Sequence, residues 1–209
     1  MCWSATADLA AGTAISALGV ACVARVRRTA DLPLAALPLV LGVHQLVEAA
    51  VWHADGGTGF ATLVWAVIAL PLLPLWVPLA VLSAAPPGGR LRLALPLAAG
   101  VVTAAVLIGC LIAKAPEAHI RGHTVGYSVD VPHLSLVIVC YLLATVGSLL
   151  IAADRMIRLL GVLTTVGAAI CAAIWRTEFV STWCAFAAVV SIVLLLWVRR
   201  PTPDRLTTA

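Results

Sequence analysis

Charge is what this sequence has least of: charged residues fill 11% of its 209 positions while hydrophobic residues fill 63%. A soluble domain carries roughly a quarter charged residues, so a water-soluble globular fold is excluded and a polytopic membrane protein is expected. No low-complexity tract, internal repeat or long polar linker breaks the apolar pattern. Residues 1–209 therefore read as one transmembrane domain with no separate soluble unit.

Familiar chemical signatures are also missing. No CxxC pair or zinc-finger spacing occurs, and Cys22, Cys110, Cys140, Cys171 and Cys184 stand singly in apolar runs, where cysteine acts as a small hydrophobe. Only Cys2 falls near the outer surface, without an evident disulfide partner. There is no GxSxG elbow, and Ser181 or Cys2 would need a base that no spacing identifies. HExxH is absent, and so are the paired broken helices of repeat-built transporters.

What is present is a succession of apolar runs near residues 5–25, 32–54, 59–84, 91–114, 133–153, 156–175 and 179–198. Each approaches the roughly 20 residues that a membrane helix needs. The expected fold is an all-α integral membrane protein, a bundle of seven transmembrane helices. The first run has no basic stretch before it and ends in Arg25, Arg27 and Arg28, so it reads as a retained helix rather than a cleaved signal.

Arginines set the orientation. In a seven-span arrangement Arg25, Arg27, Arg28, Arg90, Arg92, Arg155, Arg158, Arg199, Arg200 and Arg205 share one side, and Lys114, Arg121 and Arg176 share the other. Basic loops stay cytoplasmic, which places the N-terminus outside and the C-terminus in the cytoplasm. The net charge of +4 then reflects topology, and nucleic-acid binding is not implied.

Against this background "HQLVEAAVWHA", residues 44 to 54, stands out. Helical spacing puts His44, Glu48 and Trp52 on one stripe with Gln45 beside it. Glu48 lies about 24 Å along the axis from Leu32, in the outer third of the bilayer. Ionisable residues within a span usually face the bundle interior or a cavity. The plainer alternative is polar glue between helices near a hydrated interface.

Other polar groups fall at the same depth: Asp8, the outer loop "APEAHIRGHTVGYSVDVPH" with His119, His123, Tyr127, Asp130 and His133, and "TEFVSTW" with Glu178 and Ser181. The cytoplasmic side is read as arginines and little else. Trp3, Trp52, Trp65, Trp175 and Trp183 map to the outer half, and Trp76 and Trp197 lie deeper or on the cytoplasmic side. Either an aromatic belt or a Trp-lined pocket follows. Pro71, Pro74 and Pro78 bend the third span, and a widened cavity is one expected result.

Three chemistries compete for these residues. A metal could be shared by His44, Glu48 and one of His119, His123 or His133, although Gly122 argues against a helical "HIRGH" pair. Binding or transport of a lipid or small molecule needs only the cavity. General acid catalysis uses more of what is visible, because a carboxyl kept from water favours its protonated form and can deliver that proton, while indole faces attract cations. Together these describe a pocket that protonates a prenyl chain and shelters the resulting carbocation as it cyclises.

The stretches "MCWSATADLAAG", "LPLAALPLVLGVHQLVEAAVW" and "STWCAFAAVVS" resemble a bacterial family of small polytopic membrane proteins that open MC(F/W)SATA and have no established general function. A looser resemblance is to the small membrane-bound terpene cyclases of microbial prenylated-indole and meroterpenoid pathways, and Glu48 on the second span is similar in placement to their acid. Those cyclases usually have a small polar residue where this chain has Asp8, which could supply a second acid. The resemblance implies a terpene cyclase in the bacterial cytoplasmic membrane, with Glu48, Asp8 and His44 catalytic. Trp3, Trp52, Trp65, Trp183, Gln45 and Tyr127 would bind a lipid-like prenylated substrate, and no metal or other cofactor is expected.

Overall fold

A computed structural model describes residues 4–174 and 179–200, with side chains for 4–170 and 187–200. Its helices form seven rods among these residues: α1 (Ala5–Val23), α2 (Leu32–Ala35) running into α3 (Leu37–His53), α4 (Phe60–Val67) into α5 (Leu73–Ala84), α6 (Ala94–Ala113), α7 (Leu134–Leu142) into α8 (Ser148–Leu150), α9 (Arg155–Ile174) and α10 (Phe179–Arg199). Four stretches are long and apolar enough to cross a membrane, namely Ala5–Val23, Thr29–His53, Phe60–Ala84 and Pro87–Ala113.

The fold is not purely helical. The segment expected as an outer loop contains a β-hairpin, β1 (Glu117–Arg121) paired antiparallel with β2 (Thr124–Ser128). Its two central turn residues are Gly122 and His123, and only Gly122 has a positive φ, 60°. A type II′ turn places its glycine in that way, and its twist matches the flanking strands. Pleating then sorts the side chains: Ala118, Ile120, Val125 and Tyr127 share one face, and Glu117, His119, Arg121, Thr124, Gly126 and Ser128 share the other.

Small residues bring α1 and α3 together. A β-carbon added at Gly12 or Gly19 would come within 3.0 Å of Leu46 or Leu39 respectively, and one at Gly42 would run into Ser16. Backbones that approach so closely gain dispersion contacts along their whole length, the packing mode favoured where lipid removes the hydrophobic drive. The register is antiparallel, with Gly12 against Leu46, Ser16 against Gly42 and Gly19 against Leu39.

The α4–α5 rod shows what its prolines do. Leu73 donates to Ile68 five residues back, which marks the π-helical turn Ile68–Leu72. In that register the carbonyl of Ala69 would face the nitrogen of Pro74, which has no hydrogen. Tyr141 of α7 donates its hydroxyl to Ala69 instead, at 2.7 Å. Pro71, Pro74 and Pro78 are all buried, so the bend is packed and satisfied by a neighbouring helix rather than opened into a widened cavity.

Two apolar cores divide the bundle. One, at the arginine-bearing end, gathers Leu34, Val81, Leu93, Leu160, Leu194 and Trp197. The other, beneath the hairpin, gathers Val51, Trp65, Ala66, Ala69, Ala118 and Val125. The arginine-bearing end holds more than arginines. Asp31 is buried, with Arg28 at 3.9 Å. Asp154 accepts from the Met156 amide at 2.7 Å, capping α9, and from the Trp197 indole at 2.9 Å, tying the ends of α9 and α10.

Candidate active site

The polar stripe on α3 turns inward. His44, Gln45 and Glu48 are 6%, 1% and 0% exposed, whereas Val43, the residue before them, is 46% exposed. A helix presents different faces at successive positions, and this one buries its polar face.

Asp8, on the first turn of α1, is also 0% exposed. Ser4 caps that turn by accepting from the Ala7 amide at 3.2 Å. Carrying the α1–α3 register one turn beyond Gly12 and Leu46 brings Asp8 level with Ala50, between Glu48 and Trp52. Trp52 accordingly donates its indole N–H to Asp8 Oδ2 at 2.9 Å. The antiparallel helix pair thus holds both carboxyls at one depth.

An aromatic column closes the other side of the stripe. The His44 and Trp65 rings are 5.1 Å apart and tilted by 38°. Tyr127, from the inward face of β2, lies on the other side of Trp65, parallel within 6° at a centroid distance of 3.4 Å. The hairpin is therefore a roof over the site.

What seats the roof is the turn after α3. Asp55 adopts φ 53° and donates to the Trp52 carbonyl, while Gly56 donates to Val51. This is the Schellman arrangement that ends helices. Gly57 then exchanges two hydrogen bonds with Ala118, at 2.8 and 3.0 Å. Thr62 of α4 donates to the Gly57 carbonyl at 2.9 Å, fixing the same turn to the next rod.

Asp8, His44, Gln45, Glu48, Trp52, Trp65 and Tyr127 are therefore gathered in one region from α1, α3, α4 and β2. Trp3, Trp175 and Glu178, and the side chains of Ser181 and Trp183, lie outside the described residues. The outer histidines do not join the cluster. His119 sits on the outward face of the pleat beside Glu117, at 3.7 Å, and His123 and His133 are exposed. Among the described residues no group of three or more His, Cys, Asp or Glu side chains could hold a metal ion. Trp76 donates to the Pro33 carbonyl at 3.0 Å, a tie between rods away from the site.

Sequence reasoning passed over Asp31, which sits beside Arg28, and over Asp154 and Tyr141, whose contacts with Trp197 and Ala69 span 43 and 72 positions. Only the hairpin had a local signal, in the alternation of Ala118, Ile120, Val125 and Tyr127 with polar neighbours around a Gly-His turn.

A bundle of apolar helices, four of the stretches long and apolar enough to cross a membrane, with buried carboxyls beside a hairpin, defines a helical protein with a polar interior site. The chain belongs to the family described as "Family of unknown function (DUF6629)", which it matches over residues 1–208. No curated protein and no solved structure matches it.

Proposed function

We propose that this protein is a terpene cyclase of the bacterial cytoplasmic membrane, crossing it seven times with the N-terminus outside and the C-terminus in the cytoplasm. One observation carries the reading: Asp8 and Glu48, two wholly buried carboxyls, lie at one depth of a close-packed helix pair, flanked by Trp52 and Trp65. Burying carboxyls without function is costly.

In this reading Glu48 protonates a carbon–carbon double bond of a prenyl chain. The π electrons form the new C–H bond and leave a tertiary cation, which a second double bond attacks to close a ring. Indole faces of Trp52 and Trp65 stabilise the positive charge. Loss of a proton from the final cation restores a double bond, and in this reading Asp8, which accepts from Trp52, takes that proton. Proton return from Asp8 to Glu48 completes the cycle, so no cofactor is consumed.

The test is turnover of farnesyl-type and prenylated-indole substrates by Glu48→Gln protein folded as well as the parent. General acids typically contribute about 10²–10⁴ in rate, and a loss of that size is expected. Unchanged cyclisation by the variant would remove the mechanism.

A second reading, lipid binding without chemistry, is favoured by an open groove of about 440 Å³ lined by Val106, Gly109, Cys110, Ala113, Lys114, Asp130 and Pro132. Its mouth carries the Lys114–Asp130 contact at 3.9 Å.

A further inference from the structure

Two atoms in the aromatic column have nothing to bond. His44 Nε2 and Trp65 Nε1 are fully buried and have no hydrogen-bond partner among the described residues. Their residues are 6% and 1% exposed, and their rings are 5.1 Å apart. Buried polar groups are nearly always paired, and one that is not destabilises the fold. Two together, beside the carboxyl stripe and under a roof of a different element, form a pair of polar atoms that no described residue satisfies.

The chemistry of the pair defines what would fill it. Trp65 Nε1 carries a hydrogen and can only donate, whereas His44 Nε2 can donate or accept according to which ring nitrogen holds the proton. A hydroxyl oxygen satisfies both, since it accepts from the indole and still has a hydrogen and a lone pair to offer the imidazole. A hydrocarbon satisfies neither. A carboxylate would bring charge beside Glu48 and Asp8.

Both atoms are sealed, so a ligand reaches them only if something moves. The element over them is the hairpin, whose Tyr127 covers Trp65 and whose bridge to the bundle at Gly57 is two backbone hydrogen bonds. Resting on the cyclase reading, we propose that His44 and Trp65 form a subsite for a neutral hydroxyl on the prenyl substrate, and that the β-hairpin is the lid that lifts to admit it, with the Tyr127–Trp65 stack as its latch. The hydroxyl fixes one end of the chain while the carboxyls act on another part of it.

The test compares equilibrium binding of tritiated farnesol with that of the hydrocarbon β-farnesene to detergent-solubilised full-length protein. The parent should prefer farnesol by roughly three- to tenfold, the ordinary net worth of a hydrogen bond. His44→Phe and Trp65→Phe each keep a ring and remove a polar atom, and each should bring the farnesol-to-β-farnesene affinity ratio down toward one. Removing an unpartnered buried group should also raise the thermal midpoint of ligand-free His44→Phe protein by about 2–4 °C. A residue that only packs would not give that combination.

Tyr127→Ala should speed farnesol association several-fold by weakening the latch. No preference in the parent, or a preference intact in both ring variants, would overturn the subsite, and an unaltered association rate in Tyr127→Ala would overturn the lid. Binding needs no turnover, so the two readings fail separately. A farnesol preference lost in His44→Phe alongside unimpaired cyclisation by Glu48→Gln would keep the subsite and remove the cyclase.

Discussion

Trp52 and Asp8, 44 residues apart, meet through an indole N–H donated to a carboxylate oxygen at 2.9 Å. Trp52 is half-buried and Asp8 wholly so, which makes the contact a buried tie between α3 and α1. Trp52→Phe keeps the ring and removes the donor. A hydrogen bond to a charged group is worth about 1.5–3 kcal/mol, and a loss of that order is expected in thermal or denaturant unfolding. In a double-mutant cycle with Asp8→Asn the two effects should fall short of adding, because both variants act on one interaction.

Tyr141→Phe isolates the π-helical turn. The variant leaves the Ala69 carbonyl without the hydroxyl that reaches it across 2.7 Å. An unsatisfied buried carbonyl costs about 1–3 kcal/mol. Unfolding measurements should record that loss.

Gly42→Leu tests the α1–α3 contact on which the whole site depends. Its side chain would enter space held by Ser16, and overpacking of this kind typically costs about 1–3 kcal/mol. The helices would have to separate, so binding and turnover should fall together with stability. Val43→Leu on the exposed face of the same helix should leave all three unaltered.

Orientation is open to direct chemistry. In intact cells a membrane-impermeant thiol reagent should label a cysteine placed at His123, on the hairpin turn, and spare one placed at Arg92. Both variants would be made in a background in which the six native cysteines are replaced by serine or alanine. The reverse labelling pattern would invert the topology.

The rods and the inward face of α3 were legible because each rests on a short-range signal. Apolar runs of sufficient length announce helices, and His44 and Glu48 declare a common face through their four-residue spacing alone. Trp52 reaching Asp8, Tyr141 reaching Ala69 and Trp197 reaching Asp154 carry no such signal, since each joins residues 43 to 72 positions apart. Glycine at 12, 19 and 42 reads equally well as a weak point in a helix, and only the paired helices reveal a close approach. The hairpin hid for a different reason. Its strands are five residues each, and its polar residues alternate so regularly that composition alone resembles a loop.

The bridge from Gly57 to Ala118 also sets an order of events during synthesis. The chain elongates from its N-terminus at roughly 5–20 residues per second, so on the membrane reading proposed above Asp8 and Glu48 emerge several seconds before Tyr127 exists to stack on Trp65. Through that interval α1 and α3 must shelter both carboxyls between themselves, with Trp52 as donor and three glycines holding the helices close. The first two spans therefore have to pair on their own, early, and a chain interrupted before residue 117 would carry the acids of the site with no roof above them.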